Sequence, residues 1–131
     1  MPTRILLVED NADARQMLHM LLTLAGHEVD SAPHGTTGLE KAAATRPDIA
    51  VIDLGLPGVD GYEIARRLRA AGRDELGLIA LTGYGQPADR QAALAAAFDA
   101  HVVKPVDPSH LASVIASVQR RRQSENHPLR E

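Results

Sequence analysis

Arg4-Ile-Leu-Leu-Val-Glu-Asp-Asn11 carries four apolar residues that stop at two acids, and Ile49-Ala-Val-Ile-Asp53 repeats the pattern with a third. Short, unbroken apolar runs fit strands covered on both faces, as in a parallel sheet. Strands that return through helices all point one way, so their C-terminal ends share an edge. Glu9, Asp10 and Asp53 are therefore expected to meet in space, some forty residues apart in the chain. Carboxylates gathered beside an apolar core repel one another and need a counter-charge to stay ionised. A hard divalent cation suits them, because it takes oxygen ligands.

Working outward, strand-like and helix-like segments alternate five times. Strands read at Arg4–Val8, Glu28–Ala32, Ile49–Asp53, Leu78–Thr82 and His101–Lys104. Glu28-Val-Asp-Ser-Ala32 is the most polar and belongs at an edge. The first helix spans Ala12–Leu24, with Asn11 as N-cap and Gly26 near its stop. Its expected apolar stripe is Ala14, Met17, Leu18, Leu21 and Ala25, widened by Met20 and Leu24. Further helices read at Thr36–Thr45, Tyr62–Ala71 and from Pro87 through Ala97. The last opens at Asp107 and Pro108, faces inward with Leu111, Val114, Ile115 and Val118, and frays beyond Gln119. The pattern specifies an α/β fold: a doubly wound, five-stranded parallel sheet flanked by five helices, with a domain at 1–121 and a polar tail at 122–131.

The chain of 131 residues has room for one domain and little beyond it. It is then a single-domain protein or a piece of something larger. Only 2% of the residues are aromatic, so the core is aliphatic. A net charge of −3 gives no electrostatic footprint for nucleic acid. Cysteine is absent, which excludes disulfides and thiolate metal sites. No apolar run approaches the roughly 20 residues of a membrane span, and a cytoplasmic protein without membrane insertion is expected.

The expected ligand edge collects Glu9, Asp10, Asp53, Thr82 and Lys104. Phosphoryl transfer has work for each. Carboxylates and a backbone carbonyl hold Mg²⁺, one carboxylate oxygen attacks phosphorus, a lysine pairs with a phosphoryl oxygen, and a hydroxyl donates to another. The order Glu9-Asp10, Asp53-Leu-Gly-Leu-Pro57, Asp60-Gly61, Leu81-Thr82-Gly83 and Lys104-Pro105 resembles the receiver domain of two-component response regulators over residues 4–120. This receiver fold is flavodoxin-like. The resemblance implies that Asp53 is the phosphoacceptor, with Glu9 (directly or through water), Asp10, Asp53 and the Gly55 carbonyl holding Mg²⁺, or Mn²⁺ in its place. It implies Lys104 as the phosphoryl clamp, Thr82 as the switch hydroxyl, and a Lys104–Pro105 bond that is often cis in such proteins. Partners would be a sensor histidine kinase or histidine phosphotransfer protein and a downstream protein target. Asp53-Leu-Gly-Leu-Pro-Gly, Leu81-Thr-Gly-Tyr-Gly85 and Phe98-Asp-Ala-His-Val-Val-Lys-Pro105 look like receivers fused to hybrid histidine kinases.

Two departures stand out. His101 occupies the position where the resembling proteins usually carry Tyr or Phe as a switch ring. Gly55 and Tyr84, which would flank the phosphoryl group, act in opposite directions on its lifetime. The expected output surface is the fourth helix, fifth strand and last helix. Met17, Met20 and Leu24 read as a kinase docking patch, although ordinary core packing suits Met17 better than Met20. Arg120–Arg122 most simply favour the helix dipole. Among other classes, a metal-dependent nuclease or phosphatase would want an aspartate at position 55, where Gly stands. A nucleotide enzyme would want a glycine-rich loop after the first strand. The chain is thus expected to be a phosphoacceptor switch and not a multiple-turnover enzyme. A protein-binding module that is never phosphorylated is the remaining alternative.

Overall fold

The computed structural model describes residues 3–54, 61–71, 75–83 and 97–125. Its strands are β1 (Arg4–Val8), β2 (Glu28–Ala32), β3 (Ile49–Asp53), β4 (Gly77–Thr82) and β5 (Ala100–Val103). Its helices are α1 (Ala12–Leu24), α2 (Gly35–Thr45), α3 (Gly61–Ala70) and a C-terminal helix (Pro108–Glu125). The strands form one sheet in the order β2-β1-β3-β4-β5, and every pair is parallel. Polar β2 is an edge strand, as its composition implies. The expected helix from Pro87 lies almost wholly outside the described residues.

Alternation along the strands sorts the core into two layers. Leu6, Val8, Ala50, Ile52, Leu78 and Ala80 pack with residues of α2 and α3, while Ile5, Leu7, Val51, Ile79 and Leu81 pack with α1 and the C-terminal helix. Both faces of the sheet are therefore covered, which explains the continuous apolar runs of β1, β3 and β4.

Local signals behave as the residue chemistry dictates. The Asn11 side chain accepts from the Ala14 N–H at 2.9 Å, and Asp107 caps the C-terminal helix by accepting from Ser109 N–H at 2.9 Å. Gly61 opens α3 against the end of β3. A Cβ there would lie 2.5 Å from Leu54 Cδ2 and 3.1 Å from Leu54 Cα, so a side chain would push α3 away from the strand that carries Asp53. Helix α2 ends at Arg46, whose φ of 49° is left-handed, a conformation that suits glycine better. Its side chain is exposed and makes no hydrogen bond among the described residues. Arg46→Gly is therefore expected to raise stability by about 0.5–1 kcal/mol, read as a higher thermal midpoint by calorimetry.

Three details differ from the sequence reading. On α1 the buried residues are Leu18 and Leu22, while Met17 is 45% exposed, so the inward face is rotated from the expected stripe and Met17 is not core. Strand β5 begins at Ala100 and ends at Val103, one residue before Lys104. The C-terminal helix continues past Gln119 because Asp99 anchors it: its carboxylate accepts from Leu78 N–H at 2.8 Å, from Arg69 at 3.3 Å and from Arg122. Gln119 Nε2 also donates to the buried Thr3 hydroxyl at 2.6 Å, pinning the start of the chain to this helix.

Candidate functional site

Register brings the expected residues together. Val8 pairs with Ile52, so Glu9 and Asp53 follow on adjacent strand ends. Asp53 pairs with Leu81, and Thr82 pairs with Val103, the residue before Lys104. The Lys104 N–H donates to the Thr82 carbonyl at 2.7 Å, and Leu54 N–H donates to the Leu81 carbonyl at 3.0 Å. The Lys104–Pro105 peptide is cis.

Lys104 Nζ lies 2.8 Å from Asp53 Oδ2 and 3.2 Å from Glu9 Oε1. Glu9, Asp53 and Thr82 are all buried, at 1%, 4% and 4% exposure, whereas Asp10 is exposed. Oxygens of Glu9, Asp10 and Asp53 lie within 4.8 Å of one another. An all-oxygen donor set with three carboxylates against one ammonium suits a hard divalent cation. No side-chain hydrogen bond of the buried Thr82 occurs among the described residues. Gly55, Tyr84 and Asp60 lie outside the described residues. His101 sits on β5 with its side chain exposed. Sequence reasoning passed over Arg15, whose guanidinium donates to the Glu9 carbonyl at 2.9 Å. Nothing in the sequence flags a side chain whose partners are backbone carbonyls.

The electrostatics follow from burial. Desolvation, then the hydrogen bond and repulsion from Asp53, push the Glu9 carboxyl up to about 7, against smaller opposing pulls from the Asn11 N–H and Lys104. Burial works against the Lys104 ammonium, but Asp53 and Glu9 together outweigh it and raise its pKa. The folded chain thus keeps a proton on Glu9 that the unfolded chain loses near 4.5. Stability from this group is full below 4.5 and is lost as pH rises toward about 7. In EDTA, the slope between these limits is expected to amount to at most about 3 kcal/mol. It should flatten in Glu9→Gln, as read by circular dichroism during urea unfolding.

Among the described residues no helix is long and apolar enough to cross a membrane. Residues 5–116 match the response regulator receiver domain family. The chain is 40% identical over 122 residues to the transcriptional regulatory protein AfsQ1 of Streptomyces coelicolor, covering 93% of this chain and 53% of that protein. It is 34% identical over 128 residues to the response regulator MprA of Mycobacterium sp. (strain KMS), covering 98% of this chain and 55% of that protein. The chain therefore spans about half the length of these relatives. A solved receiver domain protein (CheY-like) from Methanospirillum hungatei JF-1 superposes with a TM-score of 0.87 at 28% identity, covering 95% of this chain and 99% of that one. A match of this extent, on a five-stranded parallel sheet with its acids and lysine at one edge, makes the chain a member of the response regulator receiver domains of two-component systems.

Proposed function

We propose that this receiver accepts a phosphoryl group on Asp53 from a phosphohistidine of a sensor kinase or phosphotransfer protein, in a Mg²⁺-dependent reaction, and thereby switches its protein contacts. The observation that supports this most is the buried Asp53 carboxylate, 2.8 Å from Lys104 within a cluster of acids. In the reaction an Asp53 oxygen attacks phosphorus, the new O–P bond forms, and the donor N–P bond breaks with its electron pair leaving on imidazole. With acetyl phosphate the departing group is acetate. A Mg²⁺ ion held by Glu9, Asp10, Asp53 and the Gly55 carbonyl would shield the charge of the incoming phosphoryl group. Lys104 would pass a hydrogen bond from Asp53 to a phosphoryl oxygen, and the Thr82 hydroxyl would donate to another.

Downstream, the phosphoryl group would bias a two-state equilibrium read out by the fourth helix, β5 and the C-terminal helix. His101, exposed on β5, would turn inward as Thr82 moves. A His101 ring environment that does not change when a phosphoryl mimic is added would remove it from that role. The partners are a kinase or phosphotransfer protein and a protein target, and the receiver itself contacts no DNA.

Intact mass after incubation with Mg²⁺ and acetyl phosphate tests the reading. One phosphoryl adduct is expected, and none in EDTA. No adduct from several donors would favour a passive binding module, and multiple-turnover phosphodiester cleavage would favour an enzyme.

A further inference from the structure

Arg15 stands near the start of α1, half-buried, and reaches back over the turn that carries two of the three acids. Its Nη1 donates to the Glu9 carbonyl at 2.9 Å and to the Asp10 carbonyl at 3.4 Å. Its backbone N–H donates to the Asn11 carbonyl at 2.9 Å. One residue therefore holds three consecutive carbonyls of the β1–α1 turn. The backbone bond is the ordinary helical one and survives any replacement. The other two depend on the side chain alone, and an NH₂ group carries two hydrogens, so one nitrogen serves both oxygens. Glu9 is further fixed from outside, its N–H donating to the Ala32 carbonyl at 3.0 Å and its carboxylate accepting from Asn11 N–H at 3.3 Å. Asp10 is exposed and has no such support for its peptide except Arg15 among the described residues.

We propose that Arg15 is a positioning residue for the cation site: by gripping the Glu9 and Asp10 carbonyls it sets the angle at which their carboxylates face the ion. This rests on the Mg²⁺ reading above. The direction of the effect separates this role from two others. Removing a nearby positive charge should strengthen attraction for a dication, so a purely electrostatic role predicts tighter binding in Arg15→Met. A merely structural role, anchoring α1 to β1, predicts a lower thermal midpoint in EDTA and an unchanged Mg²⁺ affinity. A positioning role predicts weaker binding, because groups that orient ligands typically govern about tenfold or more of metal affinity.

The experiment is Mg²⁺ titration of the full chain by calorimetry, with the thermal midpoint in EDTA and amide exchange at residues 9–11 measured alongside. Arg15→Met is expected to weaken Mg²⁺ roughly tenfold and to speed exchange at those amides. Arg15→Lys, which keeps the charge on a shorter side chain, is expected to weaken it roughly threefold. An affinity within twofold of wild type, or tighter, overturns the proposal whatever happens to the midpoint. Should Arg15→Met fail to fold, Arg15→Lys decides by the same criterion. Failure of the underlying Mg²⁺ reading looks different: wild type itself then shows no Mg²⁺ binding, or Asp10→Asn binds as well as wild type, and the positioning role falls with it.

Discussion

Asp53→Asn is expected to take no phosphoryl group from any donor and, at the same time, to be more stable than wild type without metal. The two effects have one cause. Asp53 sits buried beside Glu9, and the Lys104 ammonium serves both carboxylates. Burial pushes the Glu9 carboxyl up, and Asp53 adds to it by hydrogen bond and repulsion. An amide of the same shape removes the repulsion, leaves Lys104 to Glu9 alone, and cannot attack phosphorus. A gain of about 1–2 kcal/mol near pH 8 follows from relieving part of that shift. The gain should shrink toward pH 5, where Glu9 already holds its proton. Urea unfolding in EDTA reads the gain in stability, and intact mass reads the loss of phosphorylation. A less stable Asp53→Asn at pH 8 would mean that the attraction of Lys104 for Asp53 outweighs the crowding of the acids.

Lys104→Met should do the reverse. It strips the Lys104 ammonium from two buried carboxylates, and breaking a buried ion pair from one side typically costs about 3–5 kcal/mol. The Lys104 side chain is 36% exposed, so solvent screening lowers the expected loss to about 2–3 kcal/mol. The loss should be largest in EDTA at high pH, where both acids are charged. Acid should reduce it through protonation of Glu9, and Mg²⁺ should reduce it by supplying the missing charge. With no tryptophan in the chain, circular dichroism is the practical probe. A Lys104→Met protein as stable as wild type in EDTA would show that the three groups interact no more strongly than exposed charges do.

The sheet edge was legible because its logic is topological. Apolar runs ending in Glu9-Asp10, Asp53, Thr82 and Lys104 need only parallel strands to converge, and the register supplies them. The inward face of α1 was harder. Met17, Leu18, Leu21 and Leu22 offer several apolar stripes, and only the packing of Leu18 and Leu22 against the sheet selects one. The C-terminal helix was cut short in the reading because Arg120-Arg-Arg-Gln-Ser looks like a solvated end. Its partner Asp99 lies 23 residues from Arg122 and carries no local signal. Arg15 was invisible for a related reason, since backbone carbonyls leave no trace in residue identity.

The bond between Thr3 and Gln119 has a topological corollary. The polypeptide enters this unit beside its last helix, with Thr3 just ahead of the first strand held against Gln119, six residues before that helix ends at Glu125. A host protein could therefore carry the unit as an insertion in a surface loop while keeping its own two halves almost in place. A short linker across the same gap would let the chain be reopened elsewhere, because the sheet order does not depend on where the polymer starts.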